Sequence, residues 1–219
     1  MTSNNEIFIR PANKNDIPFI AKVIINAEKG MGATVSYCRL FEISETEFFD
    51  FLVAILEINL PNYEFSVDSY GIAVQNNKSV ACCGAWVEGV AGISSSMLKI
   101  NAFKKGFSKE KMNVFYKNIG DVENLSYKRV PNTIQLEYMY IEPEVRGHNL
   151  PKMFVDYHIK RLKHLGAKKM HGYIIEENVV SVRAMQKAGM KIIRKITDNN
   201  PKVAEYYNGN SRLLLEIEL

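Results

Sequence analysis

Hydrophobic and polar positions follow two different periods along this chain, and each period predicts one type of element. A helical period appears twice in the first 60 residues, where apolar residues return every three or four positions. The two apolar faces comprise Ile17, Ile20, Val23, Ile24 and Ala27, and then Phe48, Phe51, Leu52, Ile55 and Leu56. Pro18 suits a first helical turn, and Ser44 with Glu47 matches a capping box. We therefore predict two helices joined by an irregular loop at residues 30–43.

A shorter, alternating period marks the strands. Strands are predicted at residues 7–10, 70–75, 79–87, 133–141, 170–175, 191–197 and 213–219. The strand at 79–87 is apolar on both faces, which is typical of a central strand covered by helices on both sides. Apolar and polar residues alternate along the strand at 133–141. The alternating sets are Ile134, Leu136, Tyr138 and Tyr140 on one face, and Gln135, Glu137 and Met139 on the other.

The segments between these strands predict the remaining helices. Residues 89–131 form a long insertion with two amphipathic helical patterns, around Phe103 and around Phe115. Its six lysines between Lys99 and Lys117 form either a solvated helix face or a contact surface for an acidic partner or substrate. Helices are also predicted from about residue 150 to Gly166 and at 179–188, whereas 198–210 is a polar loop. The predicted order is β-α-α-β-β, the insertion, then β-α-β-α-β-β.

Composition narrows the class of protein. The chain has 219 residues, of which 47% are hydrophobic and 24% charged, and this suits one domain over residues 1–219. A net charge of +4 fits an anionic small-molecule ligand but falls short of the basic stripe of a nucleic-acid binder. The first ten residues lack an apolar signal core, and no apolar run approaches membrane-spanning length. We therefore expect a cytoplasmic protein without nucleic-acid or membrane partners.

Cysteine and histidine usage gives no sign of a disulfide framework or a metal site. The three cysteines are an odd number, and two of them are adjacent in a strand that is apolar on both faces, so we predict reduced core thiols. The four histidines do not have metal-ligand spacing with the cysteines. We expect all four at the surface or in turns, with only His148 near any chemistry, and we predict no metal cofactor.

Residues 133–151 carry the strongest functional signal. A strand is followed by Glu142 and Pro143, then by the basic turn Arg146-Gly147-His148-Asn149, and then directly by a helical pattern. Free N–H groups and the dipole at a helix start both favour an anion. The segment therefore predicts a cradle for a phosphate group.

Two motifs in this order of elements resemble the GNAT superfamily of acyl-CoA-dependent N-acyltransferases. The first is YIEPEVRG at residues 140–147, which looks like the family's strand and phosphate loop. The second is NVVS at 178–181 with KAGM at 187–190, which looks like a helix that opens with Asn and closes with Gly. The resemblance implies a mixed α/β fold. Its centre would be a twisted, mostly antiparallel sheet of about seven strands with helices on both faces and a helical insertion between the third and fourth strands.

The resemblance also implies acetyl-CoA as cosubstrate and a set of residues that bind it. Backbone groups of Met139 and Ile141 would pair with the pantetheine arm, and N–H groups of the turn would face the pyrophosphate. The implied cofactor-binding residues are Met139, Tyr140, Ile141, Arg146, Gly147, His148, Asn149, Leu150, Pro151, Asn178 and Ser181.

Three positions depart from the family pattern. Asn149 stands where the family usually has glycine, although Asn tolerates left-handed backbone angles. Pro151 replaces Gly or Ala and deletes an N–H that would point at a phosphate, at a cost of about 1–2 kcal/mol. Met185 stands where many members carry a tyrosine that protonates the leaving thiolate.

The chemistry of acyl transfer selects the catalytic candidates. An amine that attacks a thioester needs a base, an oxyanion donor and, in some enzymes, an acid for the thiolate. Glu137 is the candidate base, with a strand-edge ion pair as the competing interpretation. The resemblance implies the backbone N–H near Ile141 as oxyanion donor. Tyr138, Tyr206 and Tyr207 are the candidate acids, against a packing role for each.

Two functions remain open from the sequence. The first is an N-acetyltransferase that moves an acetyl group from acetyl-CoA to a primary amine of a small molecule or protein by direct attack. The second is a non-catalytic CoA-binding or protein-interaction module on the same fold, which the three departures motivate. Residues 31–43 and 198–210 would shape acceptor choice in the first case. The sequence also leaves a homodimer open.

Overall fold

A single mixed sheet of seven strands organises the chain in the computed structural model, which describes residues 6–90 and 92–219. The strands are β1 (Phe8–Pro11), β2 (Tyr70–Gln75), β3 (Lys78–Val87), β4 (Thr133–Ile141), β5 (Lys169–Ile175), β6 (Lys191–Thr197) and β7 (Ser211–Glu218). Their order in the sheet is β1-β2-β3-β4-β5-β7-β6. Only the β4–β5 pair is parallel, and all other pairs are antiparallel.

Eight α-helices in the described residues surround this sheet. They are α1 (Ile17–Lys29), α2 (Ser36–Phe41), α3 (Glu45–Ile58), α4 (Ser95–Gly106), α5 (Lys109–Ile119), α6 (Leu150–Leu162), α7 (Val179–Lys187) and α8 (Pro201–Tyr207). The predicted capping box is present at α3. Ser44 Oγ accepts from the backbone N–H of Glu47 at 3.1 Å, and the carboxylate of Glu47 accepts from the backbone N–H of Ser44 at 2.8 Å. The lack of a signal core was predicted from residues 1–10, of which 1–5 lie outside the described part.

Two hydrophobic cores lie on opposite faces of the sheet. The first contains Ile20 of α1, Phe48 of α3 and Phe103 of α4. The second contains Phe154 of α6 and Val182 of α7. The adjacent cysteines of β3 point into different cores, because neighbouring strand residues face opposite sides. The predicted fold, with a central apolar strand and helices on both faces, is confirmed.

The insertion between β3 and β4 is part of the first core. The ring of Phe41 in α2 packs on Phe103 of α4 with centroids 5.0 Å apart, and on Phe115 of α5 at 4.5 Å. These aromatic contacts bury large apolar areas, so removing the insertion would open the core. Both predicted helices of the insertion are present.

The predicted alternation of β4 is wrong beyond Glu137. Tyr138 has a φ of +53°, and the β3–β4 register shifts between Cys82 and Gly84. This bulge adds one residue to β4, and one added residue turns the following side chains to the other face. Ile134 and Leu136 accordingly lie in the second core, whereas Tyr138 and Tyr140 pack against the first. Met139 and Ile141 take over the face that the tyrosines were expected to occupy.

Two short helices occupy segments that were predicted to be loops. α2 lies within residues 30–43, and it has only six residues and no side-chain N-cap, so it gives little periodic signal. α8 lies within residues 198–210, and the sequence carries the signals of a helix start there. The side chain of Asn200 accepts from the N–H of Lys202, and Pro201 occupies the first helical position.

Two of the four histidines are buried, which corrects the expectation that all lie at the surface or in turns. His171 contacts Glu216 at 2.9 Å, and His158 is fully buried under β3. The Nε2 of His158 lies 3.1 Å from the carbonyl oxygen of Cys83, and its Nδ1 lies 3.2 Å from Arg161. A carbonyl only accepts and a guanidinium only donates, so this ring is neutral with its proton on Nε2. Burial and the charge of Arg161 lower the pKa of His158 to about 3.

We expect His158 to make stability depend on pH. Its pKa is lowered on folding, so below about pH 6.5 the unfolded chain takes up a proton that the folded chain refuses. Stability is then complete above that pH and is lost as the pH falls towards 3, by at most about 1.4 kcal/mol per pH unit. Replacing His158→Gln, which keeps a donor for Cys83, should flatten urea-unfolding free energies between about pH 6.5 and 5. His164→Gln, at an exposed site, is the control. An equal slope in both variants would contradict the prediction.

Candidate functional site

The strands β4 and β5 separate halfway along their length. They pair from Thr133 with Lys169 to Leu136 with Gly172, and no pairs join them beyond that point. Both strands continue, β4 to Ile141 along β3 and β5 to Ile175 along β7. Their facing edges thus carry backbone N–H and C=O groups without a strand partner. An extended chain can bind such edges as an added strand.

The turn after β4 leads to the same opening. Gly147 has a φ of +89° and Asn149 a φ of +56°, so Asn149 adopts the left-handed conformation that the sequence allowed. No acceptor among the described residues bonds the N–H groups of Gly147, His148 or Asn149, and that of Leu150 begins α6. Arg146 Nε donates to the carbonyl of Ile141 at 3.3 Å. The turn therefore offers several free donors to an anion.

The second motif lies at the start of α7. Asn178 is its N-cap, and its Oδ1 accepts from the N–H of Ser181 at 3.2 Å. The Nδ2 of Asn178 lies 3.6 Å from the position that a Cβ on Gly30 would occupy. The end of α1 and the start of α7 therefore meet at one place. Met185 is buried in the second core.

Glu137 belongs to a network of four buried or nearly buried charges. Arg129 donates to Glu137 at 2.6 Å and to Glu64 at 3.1 Å, and Lys99 contacts Glu64 at 2.8 Å. Glu64 is fully buried, which acts to raise its pKa, but the charges of Arg129 and Lys99 outweigh burial and lower that pKa well below its usual range. Glu137 Oε1 takes the bond from Arg129, whereas Oε2 accepts none from the described residues.

Both cations of this network come from the insertion, and the sequence interpretation of a solvated lysine face missed them. Arg129 also donates to Ser95 at 2.7 Å and stacks on Trp86, with 5.0 Å from its Cζ to the ring centroid. Lys99 follows Ser95 by four residues and precedes Phe103 by four. That helical spacing on a buried face is the signal that would have placed Lys99 inside.

A third carboxylate, Glu28, lies at the same place and was not a sequence candidate. The hydroxyls of Ser36 and Tyr138 lie near its carboxylate and act to lower its pKa. Burial raises the pKa of Glu28, although the charges of Lys99 and Arg212 oppose this. Glu28 continues the apolar spacing of α1 four residues beyond Ile24, and this position on a buried face was the available signal.

The two segments expected to border the acceptor are joined by one side chain. Asn208 Nδ2 donates to the carbonyls of Lys29 at 3.3 Å and Thr34 at 3.0 Å. Burial raises the pKa of Tyr207, and the charges of Glu28 and Lys99 also act on its phenol. Burial raises the pKa of Tyr206, and the charges of Asp121 and Lys202 also act on its phenol.

The structure therefore brings some predicted residues together and separates others. Glu137 and Tyr138 lie on the same bulge, and the charges of Glu137 and Glu28 both act on the phenol of Tyr138. Burial raises the pKa of Tyr138 well above its ordinary value. The described residues contain no group of three or more His, Cys, Asp or Glu side chains placed to hold a metal ion.

Comparison with known proteins supports the fold. No model of a known protein family matches this chain, and no curated protein matches its sequence. An N-acetyltransferase from Staphylococcus aureus Mu50 has a TM-score of 0.68 and 12% identity, over 96% of this chain and 100% of its own. A crystal structure described as an acetyltransferase scores 0.59 at 18% identity, over 96% and 98%. PaiA N-acetyltransferase from Thermoplasma acidophilum, in complex with coenzyme A, scores 0.54 at 13% identity, over 98% and 99%.

The chain has the fold of these acetyltransferases, the GNAT fold. It shows seven mostly antiparallel strands, a fourth and a fifth strand that diverge, and an open turn after β4. In the described residues, no helix is long and apolar enough to cross a membrane.

We expect the network around Arg129 to be needed for stability. Arg129→Met would leave Glu137 without its cation and Glu64 with Lys99 alone, and an uncompensated buried charge costs about 3 kcal/mol. Lys202→Met removes a surface pair with Asp121, in which the lysine side chain is 57% exposed, so solvent screens the pair and the loss of stability should be much smaller. Urea unfolding of both variants measures the difference. Equal losses would show that the network contributes no more than a surface pair.

Proposed function

We propose that this protein is an N-acetyltransferase that moves an acetyl group from acetyl-CoA to a primary amine of a small molecule or protein. The observation that carries the proposal is the opening between β4 and β5, with free backbone donors in the turn that follows. A thioester held there would lie beside Glu137 and Tyr138. A cytoplasmic location and a homodimer stay predictions from the sequence.

The cofactor would lie along the open edge of β4. Backbone groups from Met139 to Ile141 would bond the pantetheine arm, and Gly147, His148, Asn149 and Leu150 would donate to the pyrophosphate at the start of α6. Arg146 adds positive charge at the turn. Asn178 and Ser181 would flank the cofactor from α7, and Tyr140 and Pro151 border the same path.

The reaction proceeds by direct attack. The amine nitrogen forms a bond to the thioester carbonyl carbon, and the resulting oxyanion is stabilised by backbone N–H near Ile141. The C–S bond then breaks, CoA leaves as a thiolate, and the amine proton goes to Glu137 through its free Oε2. Tyr138, on the bulge itself, is the first candidate acid, and Tyr206 of α8 is the second. No acid is required, because a thiolate is a tolerable leaving group.

A second candidate function has its own observations. Pro151 lacks the N–H that the first turn of α6 would otherwise offer, and Met185 lies in the second core, where a thioether cannot protonate a thiolate. These features favour a non-catalytic CoA-binding or protein-interaction module. A binding measurement and a turnover measurement together separate the two functions.

We expect the purified protein to release free CoA from acetyl-CoA with at least one amine of a broad panel, measured by thiol detection. Glu137→Gln should lower kcat about 100-fold while acetyl-CoA affinity, measured by calorimetry, stays unchanged. Glu57→Gln, at an exposed site on α3, should match the wild type. Acetyl-CoA binding without turnover would favour the non-catalytic module, and no binding would leave only an interaction module.

We expect Pro151→Gly to tighten CoA binding about five- to tenfold, because it restores one N–H at the start of α6. Pro18→Gly is the matched control, since it removes a proline from the first turn of α1 and leaves the turn after β4 unchanged. Calorimetric titration with CoA measures both. An unchanged affinity in Pro151→Gly would indicate that the pyrophosphate does not bind at this turn.

A further inference from the structure

An arginine without an ion pair lies beside the opening between β4 and β5. Gly172 is the last residue of β5 that pairs with β4, so Tyr173 is the first residue of β5 at the opening. The guanidinium of Arg212 on β7 stacks on this tyrosine, with 5.2 Å from its Cζ to the ring centroid. Among the described residues, no carboxylate oxygen lies within 4.0 Å of the guanidinium, and no acceptor takes a hydrogen bond from it.

Arg212 and the candidate base lie on the same face of the sheet. Arg212 precedes Leu213, which points into the second core, so the arginine faces the side of the first core. Glu137 faces that side as well, because its neighbour Leu136 points into the second core. Tyr173 lies on the strand between them. Two strand spacings, about 10 Å, separate β4 from β7, and a small molecule can span that distance.

The last residues of the insertion cover this arginine. The hydroxyl of Tyr127 donates to the backbone carbonyl of Arg212 at 2.9 Å, and the ring of Tyr127 lies 5.2 Å from that of Tyr173. A second arginine, Arg194, stacks on Tyr127 with 5.7 Å from its Cζ to the ring centroid, and it too has no ion pair in the described part of the chain. Arg194 is exposed and belongs to β6, one strand farther from β4. It is therefore a matched cation away from the opening.

A guanidinium without a protein acceptor suits a carboxylate. Its planar fork donates two parallel N–H groups to the two carboxylate oxygens, which gives both strength and a fixed orientation. Arg212 is half-buried, and the ring of Tyr173 holds the plane of the fork. The hydroxyl of Tyr173 also donates to no acceptor among the described residues, so it offers one more donor beside the fork.

We propose that Arg212 binds a carboxylate of the acceptor, so that the acceptor is an amino acid whose amine and carboxylate lie several bonds apart. This rests on the proposed function, because it takes Glu137 as the group that receives the amine proton. The carboxylate would meet the fork of Arg212 at one end, while the amine at the other end reaches the bulge. The three carbons between the two groups of γ-aminobutyrate, or the five of 6-aminohexanoate, provide such a separation.

Pairs of probes that differ only in the anionic group test this inference by calorimetry with CoA present. γ-Aminobutyrate is compared with 4-aminobutanamide, and 6-aminohexanoate with 6-aminohexanamide. Every probe carries the same terminal ammonium group, so the difference within a pair reports the carboxylate alone. Wild-type protein should bind the acid of at least one pair about tenfold or more tightly than its amide. Arg212→Gln should reduce this ratio to within about twofold.

Two further variants make the outcome decisive. Arg212→Lys keeps the charge without the fork, and it should keep a ratio of at least about threefold, which a variant that had lost its fold would not. Arg194→Gln removes the matched cation and should behave as wild type. Equal binding of acid and amide in both wild-type pairs, an unchanged ratio in Arg212→Gln, or equal losses in Arg194→Gln and Arg212→Gln would each overturn the inference.

Binding is read without acetyl transfer, so this inference and the proposed function fail separately. Release of CoA with amines, without any preference for the acids, would keep the proposed function and overturn the carboxylate site. A preference for the acid that is lost in Arg212→Gln, without release of CoA from acetyl-CoA, would support the carboxylate site and overturn the proposed function.

Discussion

The bulge at Tyr138 is the constraint on which the candidate site depends. Gly84 lies opposite Glu137, and a Cβ there would come within 2.8 Å of the ring of Tyr70. Tyr70 is fully buried and donates to the backbone carbonyl of Glu64 at 2.7 Å. The added residue in β4 thus lies against a glycine and an anchored aromatic ring, and the strand leaves β5 just before it. Bulges of this kind redirect side chains and end strand pairing.

The insertion then serves two purposes at once. Its aromatic residues complete the first core, and its Lys99 and Arg129 neutralise carboxylates that would otherwise be buried without cations. Buried ion pairs contribute little net stability against apolar replacements, but each half alone is costly. The insertion and the bulge are therefore coupled, since Arg129 holds the carboxylate of Glu137 while Ser95 holds Arg129 to α4.

Local signals were read correctly where the physics is local. The capping box of Ser44 and Glu47, the left-handed Asn149 and the N-cap Asn178 each depend on a few neighbouring residues. Glu28, His158 and Lys99 were missed or misplaced because their partners come from distant segments. The ring of His158 and the carbonyl of Cys83 are 75 positions apart, and no periodicity encodes that contact.

The sequence by itself determined the elements, the order in which they follow one another, the resemblance to acyl-CoA-dependent transferases and the turn after β4. Hydrophobic period, caps and glycines act over one or two turns, so a single chain displays them. Only the tertiary structure decided which face each β4 side chain occupies beyond Glu137, because one residue of bulge reverses the alternation. It also decided that Glu64 and Glu137 pair with Lys99 and Arg129, because these residues belong to segments that meet only in the folded chain.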